Sequence, residues 1–220
     1  MTHEITIRPL SSSDLPQVAE IHLLAFPSSA LTRLGKEAVR RYYEWQMVGP
    51  HDLVAVGAFL GDQMAGFSFG GTFRGAVVGY IRRNWPYLLF RSLSRFWLFT
   101  DGLFRSRVKG GLALLARFIR GKNKPGTRAA QAATSIPEYG ILSIAVNPRF
   151  QGRGIGRLLM SENECAAQSR QFHRMGLNVS PNNEQAIRFY RSLGWEQVLS
   201  QEGVWKGKMR KPLQVGKSMC

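Results

Sequence analysis

The chain has 220 residues, enough for one good hydrophobic core, and carries 30 Lys and Arg against 14 Asp and Glu, a net charge of +16. Two cysteines, Cys165 and Cys220, and four isolated histidines (His3, His22, His51, His173) exclude a disulfide framework and offer no metal-ligand spacing, so no metal is expected and a reducing cytoplasm is the simplest setting. No apolar run reaches the ~18–20 residues that cross a bilayer, and residues 1–9, with Glu4 and Arg8, lack the apolar stretch of a secretory leader. The expectation is a single cytoplasmic domain spanning 1–220.

Residues 4–9 alternate apolar and polar side chains and predict a first strand. Ser12 and Ser13 offer caps for a helix over 14–26, in which Leu15, Val18, Ile21, His22 and Ala25 share one face. A second helix fits 32–48 and ends at Gly49-Pro50. Two strands over 53–60 and 64–73 meet at Gly61-Asp62, a strong hairpin signal. After a basic and aromatic segment over 74–135 come a strand at 139–146, a glycine-rich turn, a helix over 154–170, a strand at 175–179, a helix over 183–193 and strands near 197–200 and 204–209. The order is mixed α/β around one central sheet.

Two stretches carry chemistry. The first is the strand Ile141-Leu142-Ser143-Ile144-Ala145-Val146-Asn147-Pro148 followed by the turn Gln151-Gly152-Arg153-Gly154-Ile155-Gly156, which opens a helix. Glycines let phosphate oxygens reach backbone N–H groups, the helix dipole adds positive potential, and Arg149, Arg153 and Arg157 reinforce it, so the turn is a candidate anion site. It is neither the dinucleotide fingerprint nor a Walker loop. The second runs from Asn182 to Trp195. Asn182 can cap its helix with Gln185 closing a capping box, Gly194 can end it, and Ala186, Ile187, Tyr190 and Leu193 fall on one face.

Together these residues resemble the GNAT (GCN5-related) N-acetyltransferase superfamily. The Gln-x-x-Gly-x-Gly turn after a Val-Asn-Pro strand end looks like its cofactor motif, and Asn183-x-x-Ala186-x-x-Phe189-Tyr190-x-x-x-Gly194-Trp195 is similar to its second motif. The resemblance implies a GNAT-type mixed, mostly antiparallel sheet flanked by helices, whose fourth and fifth strands splay apart. Acetyl-CoA is the implied co-substrate. Its pantetheine would lie along Ile144, Ala145 and Val146, and its pyrophosphate on Gln151, Gly152, Arg153, Gly154, Ile155 and Gly156 with Arg157 close by. Asn183 would contact the cofactor, Tyr190 would be the general acid for the leaving thiolate, and the Val146 N–H would hold the oxyanion. In ribosomal-protein alanine acetyltransferases the strand before the tyrosine helix carries a catalytic Glu. The matching residue here is Asn178, which takes no proton and argues against ribosomal N-terminal acetylation. Glu138, acting through water, is the candidate base, with Glu20 and His22 as alternatives; the plain reading of Glu138 is a salt-bridging carboxylate.

The remaining departure from compact relatives is an insertion of about 60 residues, 74–135, between the third and fourth strands. Between Arg74 and Arg128 thirteen basic residues stand against one acid, Asp101. The aromatic content, including Trp85, Tyr87, Phe90, Phe96 and Trp97, is too high for a disordered linker, and helices are expected around Arg91 and Arg95 and over 112–120, with a return loop over 121–126. Three roles stay open: a helical subdomain or homodimer contact that packs its aromatics inward, a lid on the acceptor site, or an interfacial helix that makes peripheral membrane contact through 82–120. No nucleic-acid module is recognisable. The positive field disfavours cationic acceptors and favours a small anionic amine such as an acidic or nucleotide-linked amino sugar. Ala25-Phe26-Pro27 ahead of Leu31-Thr32-Arg33-Leu34-Gly35 looks similar to uncharacterised bacterial acetyltransferases of polysaccharide-type pathways. The alternative to an N-acetyltransferase is a catalytically idle CoA-binding module that acts through its basic insertion on membrane or nucleic acid.

Overall fold

The computed structural model describes residues 4–94 and 137–213, which form two compact units. The second part of the expected insertion, with Arg95, the helix over 112–120 and the return loop, lies outside the described residues, as do His3 and Cys220.

The first unit combines residues 1–11, 52–73 and 136–220. It holds one seven-stranded sheet in the order β1-β2-β3-β4-β5-β7-β6. The strands are β1 (Ile5–Pro9), β2 (Asp52–Leu60), β3 (Gln63–Thr72), β4 (Tyr139–Val146), β5 (Arg174–Asn178), β6 (Glu196–Leu199) and β7 (Trp205–Pro212). Every neighbouring pair is antiparallel except β4 with β5. Only that pair needs a crossover, which the helix Ile155–Ser169 supplies. The expected hairpin forms at Gly61, whose φ of +59° is the left-handed conformation the turn demands.

Two apolar clusters hold the sheet. Val56, Ala58 and Ala65 meet Ile155 and Leu159, while Tyr139, Ile141, Met175, Leu177 and Met209 meet Met160, Tyr190 and Trp195. A buried polar bridge joins strands to helix: Asn163 Nδ2 donates to Ser68 Oγ at 2.7 Å and to the Leu159 carbonyl at 2.7 Å, and the Tyr139 hydroxyl donates to Asn163 Oδ1 at 3.2 Å. All three side chains are buried, so each hydrogen bond spares a desolvated polar atom and fixes the helix against β3 and β4.

The second unit combines residues 12–51 with 74–135. Its described helices are α1 (Leu15–Ala25), α2 (Ala30–Leu34), α3 (Lys36–Val48) and α4 (Ala76–Leu93). The helix expected over 32–48 is two helices, because Gly35 adopts φ +101°, a conformation that breaks helical geometry and that glycine tolerates. Ser29, not foreseen as a cap, starts α2 by accepting from the Thr32 N–H at 3.0 Å.

The described part of the insertion packs on α2 and α3. The Tyr80 hydroxyl donates to the Ala38 carbonyl at 3.0 Å, Arg91 Nε donates to the Leu34 carbonyl at 3.1 Å, and the Arg41 guanidinium lies over the Tyr87 ring at 4.3 Å. The helix kinks at Asn84, where φ is −116° and ψ 16°, because the Pro86 ring has no N–H and crowds the carbonyl four residues back. The buried Asn84 amide at the kink is satisfied by donating to the Tyr80 carbonyl at 3.1 Å. An inward aromatic face was one expectation for this segment. Trp85, Leu89, Phe90 and Leu93 instead point outward and are exposed.

Candidate active site

The central feature is an edge that β4 presents where β5 stops accompanying it. The two strands pair at Tyr139/Met175, Gly140/Gly176 and Ile141/Leu177 and no further, although β4 continues to Val146. A bulge coincides with that point. On β3, Gly70 faces Ile141 and Phe69 faces Ser143, so Leu142 is the extra residue, and a bulge bends its strand and raises its twist. The register also dictates where the amides point. The Asn147 N–H donates to the Ala65 carbonyl at 2.8 Å, and bonded and non-bonded pairs alternate along an antiparallel ladder. Ala145 therefore bonds to β3, while the N–H and C=O groups of Ile144 and Val146 face the side that β5 has left. Gln151 Nε2 reaches the Val146 carbonyl from that side at 3.4 Å.

The turn beyond β4 is built by two caps, Asn147 and Gly154, with Gly152 between them. Asn147 Oδ1 accepts from the Arg149 N–H at 3.1 Å and starts a single 3-10 turn, Pro148–Phe150. Gly152 and Gly154 then take φ of +80° and +78°, and a Cβ on either would meet nothing within 4 Å. Glycine is needed there for backbone conformation, and the space over the turn is open to a ligand. Gly154 is the N-cap of α5 (Ile155–Ser169); its carbonyl takes the Arg157 and Leu158 N–H groups at 2.9 and 3.1 Å, and helix geometry leaves the Ile155 and Gly156 N–H groups without an acceptor inside the helix. With Arg149, Arg153 and Arg157 exposed around it, the turn has the makings of an anion cradle. Gly156 serves another purpose: its Cβ would stand 3.2 Å from the Phe189 ring, so its absence lets α5 approach the last helix.

That helix, α6 (Glu184–Ser192), starts at Asn183, which accepts the Ala186 N–H at 3.1 Å; Asn183, and not Asn182, is the cap. Ile187 and Tyr190 are buried as expected, and Tyr190 joins the cluster that Ile144 and Ala186 pack against. Phe189 and Trp195 flank its ring at 5.4 and 6.0 Å between centroids. Burial pushes the Tyr190 phenol up to about 12. It therefore stays protonated at neutral pH, as a proton donor must.

Residues 15–195 match the sequence description of the Acetyltransferase (GNAT) family. The chain belongs to that family. Over 64 residues it is 41% identical to the N-alpha-acetyltransferase RimI of Mycobacterium tuberculosis, a match covering 28% of this chain and 37% of that one. Over 72 residues it is 37% identical to the [ribosomal protein bS18]-alanine N-acetyltransferase of Salmonella typhimurium, covering 32% and 49%. The matched stretch is thus less than half the length of either relative. The PaiA N-acetyltransferase of Thermoplasma acidophilum, solved with coenzyme A, shares the fold at a TM-score of 0.55 with 14% identity, over 95% of this chain and 99% of that one.

Other residues considered for the GNAT chemistry have partners of their own. Glu138 precedes β4 and stands four residues, ~13 Å of strand, before Leu142. Its carboxylate accepts from Arg210 Nε at 2.7 Å, pairs with Lys208 Nζ at 3.1 Å and lies 3.6 Å from Arg174 Nε. Burial on its own would raise it, but the hydrogen bonds from Lys208 and Arg210 outweigh burial and hold it below its ordinary value. His22 sits between the Tyr43 hydroxyl at 2.9 Å and Ser29 Oγ at 3.3 Å, and burial holds its imidazole down at about 4. Glu20 is paired with Lys36. Asn178 is exposed at the end of β5, opposite Lys208.

Sequence reasoning missed three things here. The bulge at Leu142 leaves no mark in residue type. The polar bridge through Asn163 joins residues far apart in the chain. The cations of β7 were legible: Lys206, Lys208 and Arg210 alternate with Trp205, Gly207 and Met209, so they share one face of the strand, the face that Glu138 and Arg174 also reach.

Proposed function

We propose that the chain transfers an acetyl group from acetyl-CoA to a primary amine. The observation that carries this reading is the β4 edge from Leu142 to Val146, unpaired by β5 and leading directly into the open glycine cradle. The residues fit the co-substrate. The cradle at Gly152–Gly156 takes the pyrophosphate with Arg149, Arg153 and Arg157, and the outward amides of Ile144 and Val146 can bond the pantetheine arm and the thioester oxygen. Family membership and a neighbour of the same fold solved with coenzyme A support the assignment.

In this reading the amine nitrogen attacks the thioester carbon, the C–N bond forms, and the oxyanion rests on the Val146 N–H. As the C–S bond breaks, its electron pair goes to sulfur, which takes the Tyr190 proton. Burial raises the Tyr190 phenol above its ordinary value and disfavours a free thiolate beside it by the same physics, so transfer of the proton to sulfur relieves a desolvated charge. The surplus amine proton leaves to water. Glu138, held as a carboxylate by three cations, is assigned a structural role, because ion pairing that lowers its pKa makes it a poor proton acceptor.

The acceptor divides into two classes. The names of the two relatives direct one test to peptide α-amines. The cationic face of Arg174, Lys208 and Arg210, with Glu138 as its single paired acid and Asn178 where those enzymes' class carries a carboxylate, favours an anionic amine. The test is turnover of acetyl-CoA, followed as free thiol, with peptide amines and acidic amino sugars. Acetyl-CoA binding by calorimetry without turnover on any amine would support the idle CoA-binding module instead, and no binding would refute both.

A further inference from the structure

We propose that α4 is a docking surface for an anionic phospholipid bilayer, on which the protein lies peripherally. After the kink at Asn84 the helix is amphipathic with its polarity reversed. Trp85, Leu89, Phe90 and Leu93, at 0°, 40°, 140° and 80° on an ideal wheel of 100° per residue, form one arc, and they are 59%, 53%, 70% and 64% exposed. The polar groups turn inward: Arg91 donates to the Leu34 carbonyl, Tyr87 lies under Arg41, and Asn84 is buried on the Tyr80 carbonyl. A helix that serves only its own core does the opposite, so the outward stripe is available to an external apolar phase.

Charge selects among occupants. α4 carries Arg82, Arg83 and Arg91 and no acid, and Arg82 and Arg83 are exposed. A second copy would bring the same cations face to face. The following segment of the chain, 95–136, holds nine basic residues and one acid and would add like charge. Anionic headgroups complement the arginines while the acyl boundary takes Trp, Phe and Leu. No described helix is long and apolar enough to cross a membrane, so α4 would lie in the interface.

The experiment is co-sedimentation of the full chain with phosphatidylcholine vesicles containing phosphatidylglycerol and with phosphatidylcholine alone, alongside sedimentation equilibrium without lipid. Binding should require phosphatidylglycerol and weaken with salt. Arg82→Gln with Arg83→Gln should weaken it about 30-fold, a factor of about five per cation near an anionic surface. Trp85→Ser with Phe90→Ser should weaken it roughly 100-fold through lost apolar burial, with acetyl-CoA affinity unchanged in calorimetry to show that the fold is kept. Three results would overturn the proposal: no vesicle binding; binding that is indifferent to the apolar pair, hence only electrostatic; or a lipid-free dimer that the apolar pair dissociates, which would make the stripe a contact between copies. Because the readout is lipid binding, its failure would leave the acetyltransfer reading untouched.

Discussion

Two helices of this protein carry aromatic stripes, and they aim them in opposite directions. In α6 Ile187 and Tyr190 point into the core while Arg188 and Arg191 are exposed, with Arg188 bonded to Glu184 at 3.2 Å. In the second half of α4 Trp85, Leu89, Phe90 and Leu93 are exposed while Arg91 and Tyr87 turn inward. Both obey the 3.6-residue period, so periodicity alone reveals that a face exists and not what it faces. The difference separates a buried hydroxyl, the candidate proton donor, from an exposed apolar stripe, the candidate docking face. Burial makes Tyr190 a neutral donor at about 12, whereas an exposed Phe90 contributes only a surface.

The sharpest test of the inward helix is Tyr190→Phe. Phenylalanine preserves the packed ring, so acetyl-CoA affinity should stay within a few-fold, while turnover should fall by roughly 10²–10⁴, the worth of a positioned general acid. Unchanged turnover would take Tyr190 out of the mechanism. The comparison itself can be broken by truncating one residue on each stripe. Ile187→Ala should cost about 2–4 kcal/mol in urea denaturation through a buried cavity, and Leu89→Ala should stay within about 0.5 kcal/mol as a surface change. Equal costs would mean that α4 is packed after all.

A pH experiment probes burial in the second unit. His22 titrates at about 4 when folded and near 6.5 when unfolded, so below 6.5 the unfolded chain binds more protons and stability falls as pH falls toward 4. Between pH 6.5 and 4.5 the wild type should lose about 2–3 kcal/mol more than His22→Gln; parallel curves would place His22 in solvent. α4 and α5 offer a matched pair of starts. Gly75 caps α4 at φ +67° and Gly154 caps α5 at φ +78°, each with open space where a Cβ would stand. Valine at either should cost ~1–3 kcal/mol of backbone strain, but only Gly154→Val should weaken acetyl-CoA binding in calorimetry, because only that turn is proposed to hold the pyrophosphate. A loss at both would make the effect one of folding.

Much of this was legible beforehand for physical reasons. β4 was placed to the residue because Pro148 and the glycines fence an apolar run, and Tyr190 because i, i+3, i+4 spacing gave it a face. The split at Gly35 was missed because a glycine inside an apolar period gives no sign that its φ will be positive. The capping residue slipped by one, from Asn182 to Asn183, since both are asparagines and either can bond the first turn. Glu138 was considered as a base because only its sequence neighbours were visible. Its partners Arg174, Lys208 and Arg210 come from two other strands, and no linear reading brings them together.

Those partners supply the smallest expected effect and the last contrast, between two sets of cations. Lys208 and Arg210 share a strand face with Glu138, opposite β5 and two residues apart, whereas Arg82 and Arg83 stand exposed on α4. If the β7 face reads an anionic acceptor, Lys208→Gln with Arg210→Gln should raise the KM of an acidic amino sugar only a few-fold, since part-exposed charges are each worth about 0.2–1 kcal/mol. The KM of a neutral amine and of acetyl-CoA should hold. Salt should narrow the gap between variant and wild type, because screening acts within ~8–10 Å near physiological ionic strength. Arg82→Gln with Arg83→Gln should leave all three KM values in place and change vesicle binding alone. A rise in the neutral amine's KM equal to that of the acidic one would assign Lys208 and Arg210 to holding Glu138 and β5 in register, and would remove charge from the argument about the acceptor.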